Sequence, residues 1–193
     1  SLASAPHEKY LAVTVKEERY VSGATRYPPL LSPLLVKRTV RGMRLLVTGF
    51  TGPYTLPDDV ESRTDHLVHV CAGSGSVPNF SILKHALVHH PRLRHTFLYS
   101  NKTWSDVIFR RELADLEARH ADRLRVIHAL TRESEPSAFG PNVHAGRVTP
   151  TLLRQAIADP KAALVYLCGP AISTWDKAAA RERGEPPPPR FLE

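Results

Sequence analysis

The segment HLVHVCAGSGSVPNF, residues 66–80, contains the residue types that hold a phosphate group. An apolar run ends at Cys71, and Gly73 and Gly75 follow it in a Gly-x-Gly turn. Glycines let the backbone turn sharply and approach a ligand, while the free N–H groups of the next helix attract anions. Pro78 stands where the third glycine of Gly-x-Gly-x-x-Gly would fall, and proline fits the first turn of a helix. The segment predicts a phosphate loop, although a tight turn without a ligand has the same pattern.

The next predicted strand ends in polar residues that could select a cofactor. Folds that bind NAD usually place an acid about 20 residues further on, where it binds the ribose 2′-hydroxyl. Here the strand ends in Ser100, Asn101 and Lys102, and no acid occurs before Asp106. A hydroxyl, an amide and an ammonium group suit a 2′-phosphate. An ordinary surface lysine explains these residues equally well, so this segment leaves both interpretations open.

A second glycine turn, Cys168-Gly169-Pro170, directly follows the apolar run AALVYLC. A thiol at this position could pack beside a planar ring, and a buried structural cysteine is the alternative. Since ligands of open parallel sheets bind at the carboxyl ends of the strands, we expect both glycine turns at the same edge. The sequence assigns no histidine partner that would make Cys71 a nucleophile.

The ten histidines raise the question of a metal site. His85 and His89 are four residues apart on a predicted helix, a spacing that can chelate a metal ion. The helix offers no third ligand nearby, and both side chains fit an ordinary helix face. The two cysteines, Cys71 and Cys168, are far apart and neither belongs to a Cys-x-x-Cys motif. The sequence therefore predicts no metal centre and no disulfide.

From residue 66 onward, short apolar strands alternate with helices. This alternation predicts an α/β nucleotide-binding domain, in which a parallel sheet with right-handed crossovers is flanked by helices. The predicted strands are 66–71, 95–100, 123–130 and 162–168, and the predicted helices are 78–90, 105–120 and 149–159.

Residues 1–58 have a different pattern. Strands over 10–18, 43–49 and 52–57, with a short helix starting near Ser32, predict an antiparallel meander or part of a barrel. A polar, acidic connector separates this part from the alternating region. We therefore predict two domains, 1–58 and 64–193.

The composition excludes several classes of function. The net charge is +7, but the densest charged runs mix both signs, which is typical of solvated helices and argues against nucleic-acid binding. No run approaches the about 20 apolar residues of a membrane span, and no secretory signal is visible. Together with the two isolated cysteines, this predicts a cytoplasmic protein without a membrane partner.

The phosphate-loop segment GSGSVP (73–78), the segment YSNK and the Cys-Gly-Pro strand end together resemble the ferredoxin–NADP⁺ reductase-like flavoprotein family. Pro78 matches the Gly-x-Gly-x-x-Pro loop of this family. The N-terminal segment SLASAP is similar to the residues that follow Arg-x-Tyr in the flavin motif of this family. LAVTVK (11–16) resembles the next flavin-contacting strand. LLSPLL (30–35) resembles the end of its Gly-x-x-Ser segment, although Pro29 stands where the glycine would fall.

The resemblance implies an enzyme that binds FAD and NADP, with NAD as the alternative. Hydride would pass from NAD(P)H to the flavin, and electrons onward to an acceptor, which could be an iron–sulfur protein, an oxygenase component, a haem protein or a small molecule. The phosphate loop would consist of Gly73, Ser74, Gly75 and Pro78. The 2′-phosphate would be selected by Ser100 and Lys102, helped by Arg110 or Arg147. Cys168, with Gly169 and Pro170, would border the nicotinamide as the catalytic residue. The flavin would be contacted by Ser1, Val15, Lys16 and Ser32.

The resemblance also implies a fragment of a longer reductase. Residues 1–58 would be a partial flavin-binding β-barrel domain, and 64–193 an NAD(P)-binding domain without its C-terminal end. About 58 residues are too few for a closed six-stranded barrel with strands of about 5–6 residues. Two alternatives remain: a non-catalytic NAD(P)-binding module that has lost flavin binding, and a dehydrogenase of a small substrate. The second lacks a recognisable Tyr-x-x-x-Lys motif or His–acid pair.

Overall fold

A five-stranded parallel sheet forms the centre of the structure, a computed structural model that describes residues 1–17, 29–187 and 191. The strand order is β4-β3-β2-β1-β5, and every neighbouring pair is parallel. This confirms the predicted α/β fold. The strands are β1 (His66–Ala72), β2 (Arg94–Asn101), β3 (Leu124–Leu130), β4 (Val143–Ala145) and β5 (Ala163–Cys168).

Helices cover both faces of the sheet, because successive side chains of each strand point to opposite faces. On one face Phe97 and Tyr99 of β2 pack among apolar residues of α3 and α4. On the other face Val68, Val70 and Leu98 pack against α5. The helices are α1 (Leu31–Lys37), α2 (Val60–Arg63), α3 (Ser76–His89), α4 (Arg110–Arg119), α5 (Pro150–Ala156) and α6 (Thr174–Arg183). Within the described ranges, none of these helices has the length and apolar character that crossing a membrane requires.

The predicted helices exist, but their boundaries differ. The helix predicted over 105–120 begins only at Arg110, because a 3₁₀ turn over Trp104–Asp106 precedes it. Thr103 and Asp106 close this turn with reciprocal side-chain hydrogen bonds. The predicted cap of α5 is confirmed, since the Thr149 hydroxyl accepts the Leu152 N–H at 3.2 Å. The three-residue strand β4 lies in a segment that the sequence predicts as a loop.

The antiparallel barrel segment predicted for residues 1–58 is not formed in the described part of the chain. The strands expected over 43–49 and 52–57 have no β-pairing, and the segment 10–17 contributes one isolated antiparallel bridge, between Leu2 and Val13. The last residue of the first predicted strand, Glu18, lies outside the described residues. A strand is stable only when neighbours satisfy its backbone groups and cover its apolar face, and here Leu46 is 95% exposed. The short helix expected near Ser32 is present as α1.

Four histidines of the sheet are buried, His66, His69, His95 and His128, and the pKa values of the last three are strongly lowered. The rings of His69 and His95 stack with centroids 6.1 Å apart. Burial lowers the pKa of His69 to about 4 and that of His128 to about 4. Burial, followed by the proximity of His69 and Arg123, lowers the pKa of His95 to about 2. All three rings are therefore neutral in the folded protein at neutral pH.

This burial predicts that the protein loses stability as the pH falls below about 6.5, the ordinary pKa of histidine. Between about pH 6.5 and the low folded-state pKa, these histidines bind protons in the unfolded chain but not in the folded chain. Lowering the pH through this range therefore favours unfolding. Each pH unit then costs up to about 1.4 kcal/mol for each histidine. We expect His95→Phe, which removes a ring whose nitrogens have no hydrogen-bond partner among the described residues, to flatten this slope.

Urea denaturation at several pH values measures the effect. Between about pH 7.5 and pH 5 the variant should lose about 2 kcal/mol less unfolding free energy than the wild type, because 1.5 pH units separate pH 5 from the ordinary pKa. Above pH 7 the two proteins should show the same pH dependence, which serves as the internal control. Equal slopes below pH 6.5 would contradict the prediction.

Candidate functional site

The two glycine turns lie against each other at the carboxyl edge of the sheet. β1 and β5 pair in register, with Cys71 opposite Cys168. A Cβ atom on Gly75 would lie 2.6 Å from the carbonyl carbon of Cys168 and closer still to its oxygen. The same atom would lie 2.9 Å from the backbone nitrogen of Gly169. The expectation that both turns share one edge of the sheet is confirmed, and the contact explains why position 75 is a glycine.

The first turn has the geometry of an anion-binding loop. Gly73 has a φ of +53°, and a Cβ atom there would meet nothing within 4 Å, so its surface is open. Residues Gly73–Gly75 form a 3₁₀ turn that runs directly into α3, and Ser74 is exposed. The start of α3 has no side-chain cap within the described chain, and the Ser76 N–H bonds back to the carbonyls of Gly73 and Ser74. The positive end of the α3 dipole favours an anion at this turn. Pro78 is the third residue of α3 and lies in its first turn, as predicted.

The buried side chain of Tyr99 forms hydrogen bonds to this turn from inside the domain. Its hydroxyl donates to the carbonyl of Gly73 at 2.9 Å and accepts the backbone N–H of Ile108 at 3.3 Å. The Ser76 hydroxyl lies 2.9 Å from both the Tyr99 hydroxyl and the Gly73 carbonyl oxygen. Burial raises the pKa of Tyr99 to about 12, so the hydroxyl keeps its proton. The conformation of Gly73 is thus fixed by a buried donor and not only by its own flexibility.

Asn79 fixes the other glycine. Its amide donates to the Gly75 carbonyl at 3.0 Å, and its Oδ1 lies 3.1 Å from Nδ1 of His69. The Tyr54 hydroxyl donates to the same Oδ1 at 3.2 Å. The sequence interpretation missed Tyr99, Asn79 and His69. Polar residues inside an otherwise apolar strand and helix face were the available signal.

The two cysteines are free thiols at the ends of β1 and β5, and the role predicted for Cys168 beside the nicotinamide stays a prediction. Both are free, Cys71 is buried, and Cys168 is partly buried. Burial raises the pKa of both thiols, which keeps them protonated at neutral pH. The ring of Phe191 covers Gly169, since a Cβ atom on Gly169 would lie 2.9 Å from Cε1 of that ring. The backbone N–H of Phe191 donates to the Pro170 carbonyl at 3.1 Å.

The residues predicted to select the 2′-phosphate lie at the end of β2. Ser100 is buried and pairs with Ala72 of β1, while Lys102 is exposed directly after the strand. The Arg110 guanidinium donates to the Trp104 carbonyl at 3.0 Å and lies 5.4 Å over the indole ring. Arg147 is exposed and follows β4, two strands from β2 and hence about 10 Å away in strand spacing. The structure brings Ser100 close to the phosphate loop and places Arg147 apart from it.

The residues predicted to contact a flavin lie in the N-terminal part. The carbonyl of Ser1 accepts the N–H of Thr14 at 3.1 Å, so Ser1 lies beside Val15 and Lys16. An ion pair of 2.7 Å between Lys37 and Glu17 brings α1 next to this segment. Ser32, in the first turn of α1, therefore belongs to the same region, and the roles of Ser1, Val15, Lys16 and Ser32 stay predictions.

A parallel sheet with an open glycine turn at its carboxyl edge defines a dinucleotide-binding domain. Residues 69–173, which are 105 of the 193 residues, match the family model described as oxidoreductase NAD-binding domain. The chain belongs to this family.

Relatives and solved structures agree with this assignment. Human NADH-cytochrome b5 reductase 2 is 28% identical over 113 residues, which cover 57% of this chain and 39% of that protein. Nitrate reductase [NADH] of Lotus tetragonolobus is 30% identical over 106 residues, covering 54% of this chain and 64% of the relative. The CS-b5R domains of human Ncb5or, in the NAD⁺ form, superpose with a TM-score of 0.56 at 25% identity, covering 91% of this chain and 45% of that one.

The same fold occurs in a ferredoxin NADP⁺ reductase from Neisseria gonorrhoeae with bound FAD and NADP. It has a TM-score of 0.54 at 24% identity, and the match covers 88% of this chain and 65% of that one. These matches confirm the resemblance to ferredoxin–NADP⁺ reductase-like proteins. The chain spans between 14% and 64% of the length of the first three curated relatives.

The contact between Gly75 and Cys168 predicts the effect of one added methyl group. Gly75→Ala forces backbone apart at the junction of β1, α3 and β5, and overpacking of this kind costs about 1–3 kcal/mol. Ser74→Ala, at the exposed neighbouring position, should change the unfolding free energy by less than about 0.5 kcal/mol. Chemical denaturation of both variants measures the difference, and a Gly75→Ala variant as stable as Ser74→Ala would refute the close contact.

Proposed function

We propose that this chain is the nicotinamide-binding part of a flavin-dependent reductase, which passes a hydride from NAD(P)H to FAD and electrons onward to an acceptor. The observation that carries the proposal is the contact of Gly75 with the backbone of Cys168 and Gly169. It joins an open phosphate loop to a second strand end, so that one dinucleotide can reach both. The family match and the reductase relatives support the same reaction class.

The residues present fit a nicotinamide dinucleotide. The pyrophosphate would lie over Gly73 and Ser74, where the backbone surface is open and the positive end of the α3 dipole lies. The nicotinamide would lie beside Cys168, next to the ring of Phe191 that covers Gly169. The protonated Cys168 thiol offers a soft, uncharged surface for a planar ring, so its role is to position the ring and exclude water.

The flavin assignment rests on the N-terminal part and on resemblance. FAD, when bound, supplies the ring atom that accepts the hydride. The chain would contribute contacts from the segment of Ser1, Val15 and Lys16 and from the start of α1. Apolar side chains in this part are exposed, among them Tyr10 at 72% and Val47 at 56%, and they provide surface for a ring or for further protein.

The electron acceptor is proposed only as a class. The relatives carry the names cytochrome b5 reductase and nitrate reductase, and a solved structure with the same fold is named ferredoxin reductase. These names support the haem protein and the iron–sulfur protein among the acceptors that the sequence leaves open. All of them accept electrons from a reduced flavin.

Flavin absorbance and anaerobic titration with NADPH test the proposal. We expect the purified chain, alone or with added FAD, to be yellow and to lose its flavin absorbance when NADPH is added. A colourless protein that still binds NADPH, measured by fluorescence, would favour the non-catalytic module. A protein that binds neither ligand would overturn both functions.

The choice between NADPH and NADH depends on charges near the end of β2. Lys102 is exposed there, and Arg110 is held against Trp104 a few residues further on. The sequence interpretation missed one acid in this region: the Glu133 carboxylate accepts the N–H of Trp104 at 2.6 Å. Because Lys102 and Arg110 supply positive charge at the end of β2, we propose NADPH as the preferred cofactor and NADH as the alternative.

Lys102→Glu tests this preference. A charge-assisted contact to phosphate is worth about 1.5–3 kcal/mol, so the variant should raise the Kd of NADPH by about 10- to 150-fold and leave that of NADH nearly unchanged. Lys161→Glu is the matched control, since Lys161 is exposed at the opposite edge of the sheet, before β5. Equal losses for both cofactors in Lys102→Glu would refute the role of Lys102.

A further inference from the structure

Three histidines from two distant parts of the sequence meet on the surface of α3. His85 and His89 lie one turn apart on the helix, and His7 joins them from the N-terminal segment. One ring nitrogen of each lies within 4.8 Å of the others. The ring centroids of His7 and His89 are 5.3 Å apart, and those of His85 and His89 are 4.5 Å apart. The sequence predicts no metal site because it shows no third ligand, and the fold supplies one.

The N-terminal segment is held in place by contacts other than the histidines. The Ser81 hydroxyl of α3 donates to the Ser4 carbonyl at 2.7 Å, and Lys84 forms an ion pair of 2.5 Å with Glu8. Ala3 and Ala5 are buried, at 7% and 3% exposure. These contacts flank His7 on both sides in sequence. The cluster therefore has a fixed backbone frame, within which only the imidazole rings need to move.

The cluster has the composition and surroundings of a transition-metal site. Three imidazoles with an open fourth position are a known ligand set for Zn²⁺. Nδ1 of His85 is buried without a hydrogen-bond partner among the described residues, so a ring nitrogen is free to bind. His89 is the last residue of α3, and the negative end of the helix dipole favours a cation there.

The distances are compatible with closure around one ion. Zn–N bonds of about 2.0–2.1 Å in a tetrahedral site place the nitrogens about 3.3 Å apart. Starting from separations within 4.8 Å, the rings approach by up to about 1.5 Å. His7 and His89 are exposed, so rotation of their side chains achieves this without moving the helix.

We infer that His7, His85 and His89 form a Zn²⁺ site that fastens the N-terminal segment to α3. The site lies about 20 Å along the helix from the phosphate loop, because 13 residues separate Ser76 from His89 at about 1.5 Å per residue. It is thus separate from the nucleotide site. Bound Zn²⁺ would hold the segment that contains Ser1 and Val15 against the nucleotide-binding domain.

Calorimetric titration with Zn²⁺, on the chain without a histidine tag, tests the inference. We expect one ion per chain. His7→Ala, His85→Ala and His89→Ala should each weaken binding by at least about tenfold, because even changes behind a metal ligand cost about 10- to 100-fold. His144→Ala, a partly exposed histidine on β4, is the matched control and should bind like the wild type. Circular dichroism verifies that each variant is folded.

Hydrogen exchange provides a second measurement that does not depend on the variants. Zn²⁺ should slow exchange of the amides in residues 3–12 of the wild type. If His7→Ala binds Zn²⁺ with wild-type affinity, or if Zn²⁺ leaves exchange in this segment unchanged, only His85 and His89 bind the metal. Either result would overturn the inference. Absence of saturable binding, or equal weakening in His144→Ala, would overturn it as well.

Discussion

The backbone of Gly75 rests on the carbonyl of Cys168, and the arrangement of the site depends on this approach. The approach is possible because parallel pairing of β1 with β5 ends both strands at the same level, with Cys71 opposite Cys168. It also fixes where α3 begins, and therefore where the positive end of its dipole points. Two motifs that are nearly a hundred residues apart become one continuous backbone surface, on which a dinucleotide can lie.

Buried polar groups give this surface its rigidity. Tyr99 and Asn79 bind the carbonyls of Gly73 and Gly75 from inside the domain, where water does not compete for them. Hydrogen bonds in such surroundings are costly to break, since the freed groups would stay buried without partners. The glycines provide conformational freedom, and the buried donors select one conformation from it. His69 extends the network from Asn79 into the middle of the sheet.

Local patterns in the sequence predicted the parallel sheet and the glycine turns, because strand alternation and glycine spacing are local properties. Contacts across the fold could not be predicted in this way. His7 is 78 positions before His85, and no periodicity relates the two, so the histidine cluster becomes visible only when the N-terminal segment lies on α3. Residues 43–57 show the opposite error, since their β-branched and apolar pattern is strand-like while no partner strand pairs with them in the described chain.

The position of β5 at the edge of the sheet has a consequence for how the site forms and opens. The Thr64 hydroxyl, just before β1, donates a hydrogen bond to the carbonyl of Ala162, just before β5. The two residues are 98 positions apart in the sequence. Closing so long a loop is entropically expensive, and Val165 and Leu167 stay 46% and 48% exposed, so β5 buries less apolar surface on docking than the central strand β1 does. We therefore expect β5 to dock late in folding and to detach first under mild denaturant. Sub-global detachment of this one strand would remove Cys168 and Gly169 from the phosphate loop while the other four strands stay paired.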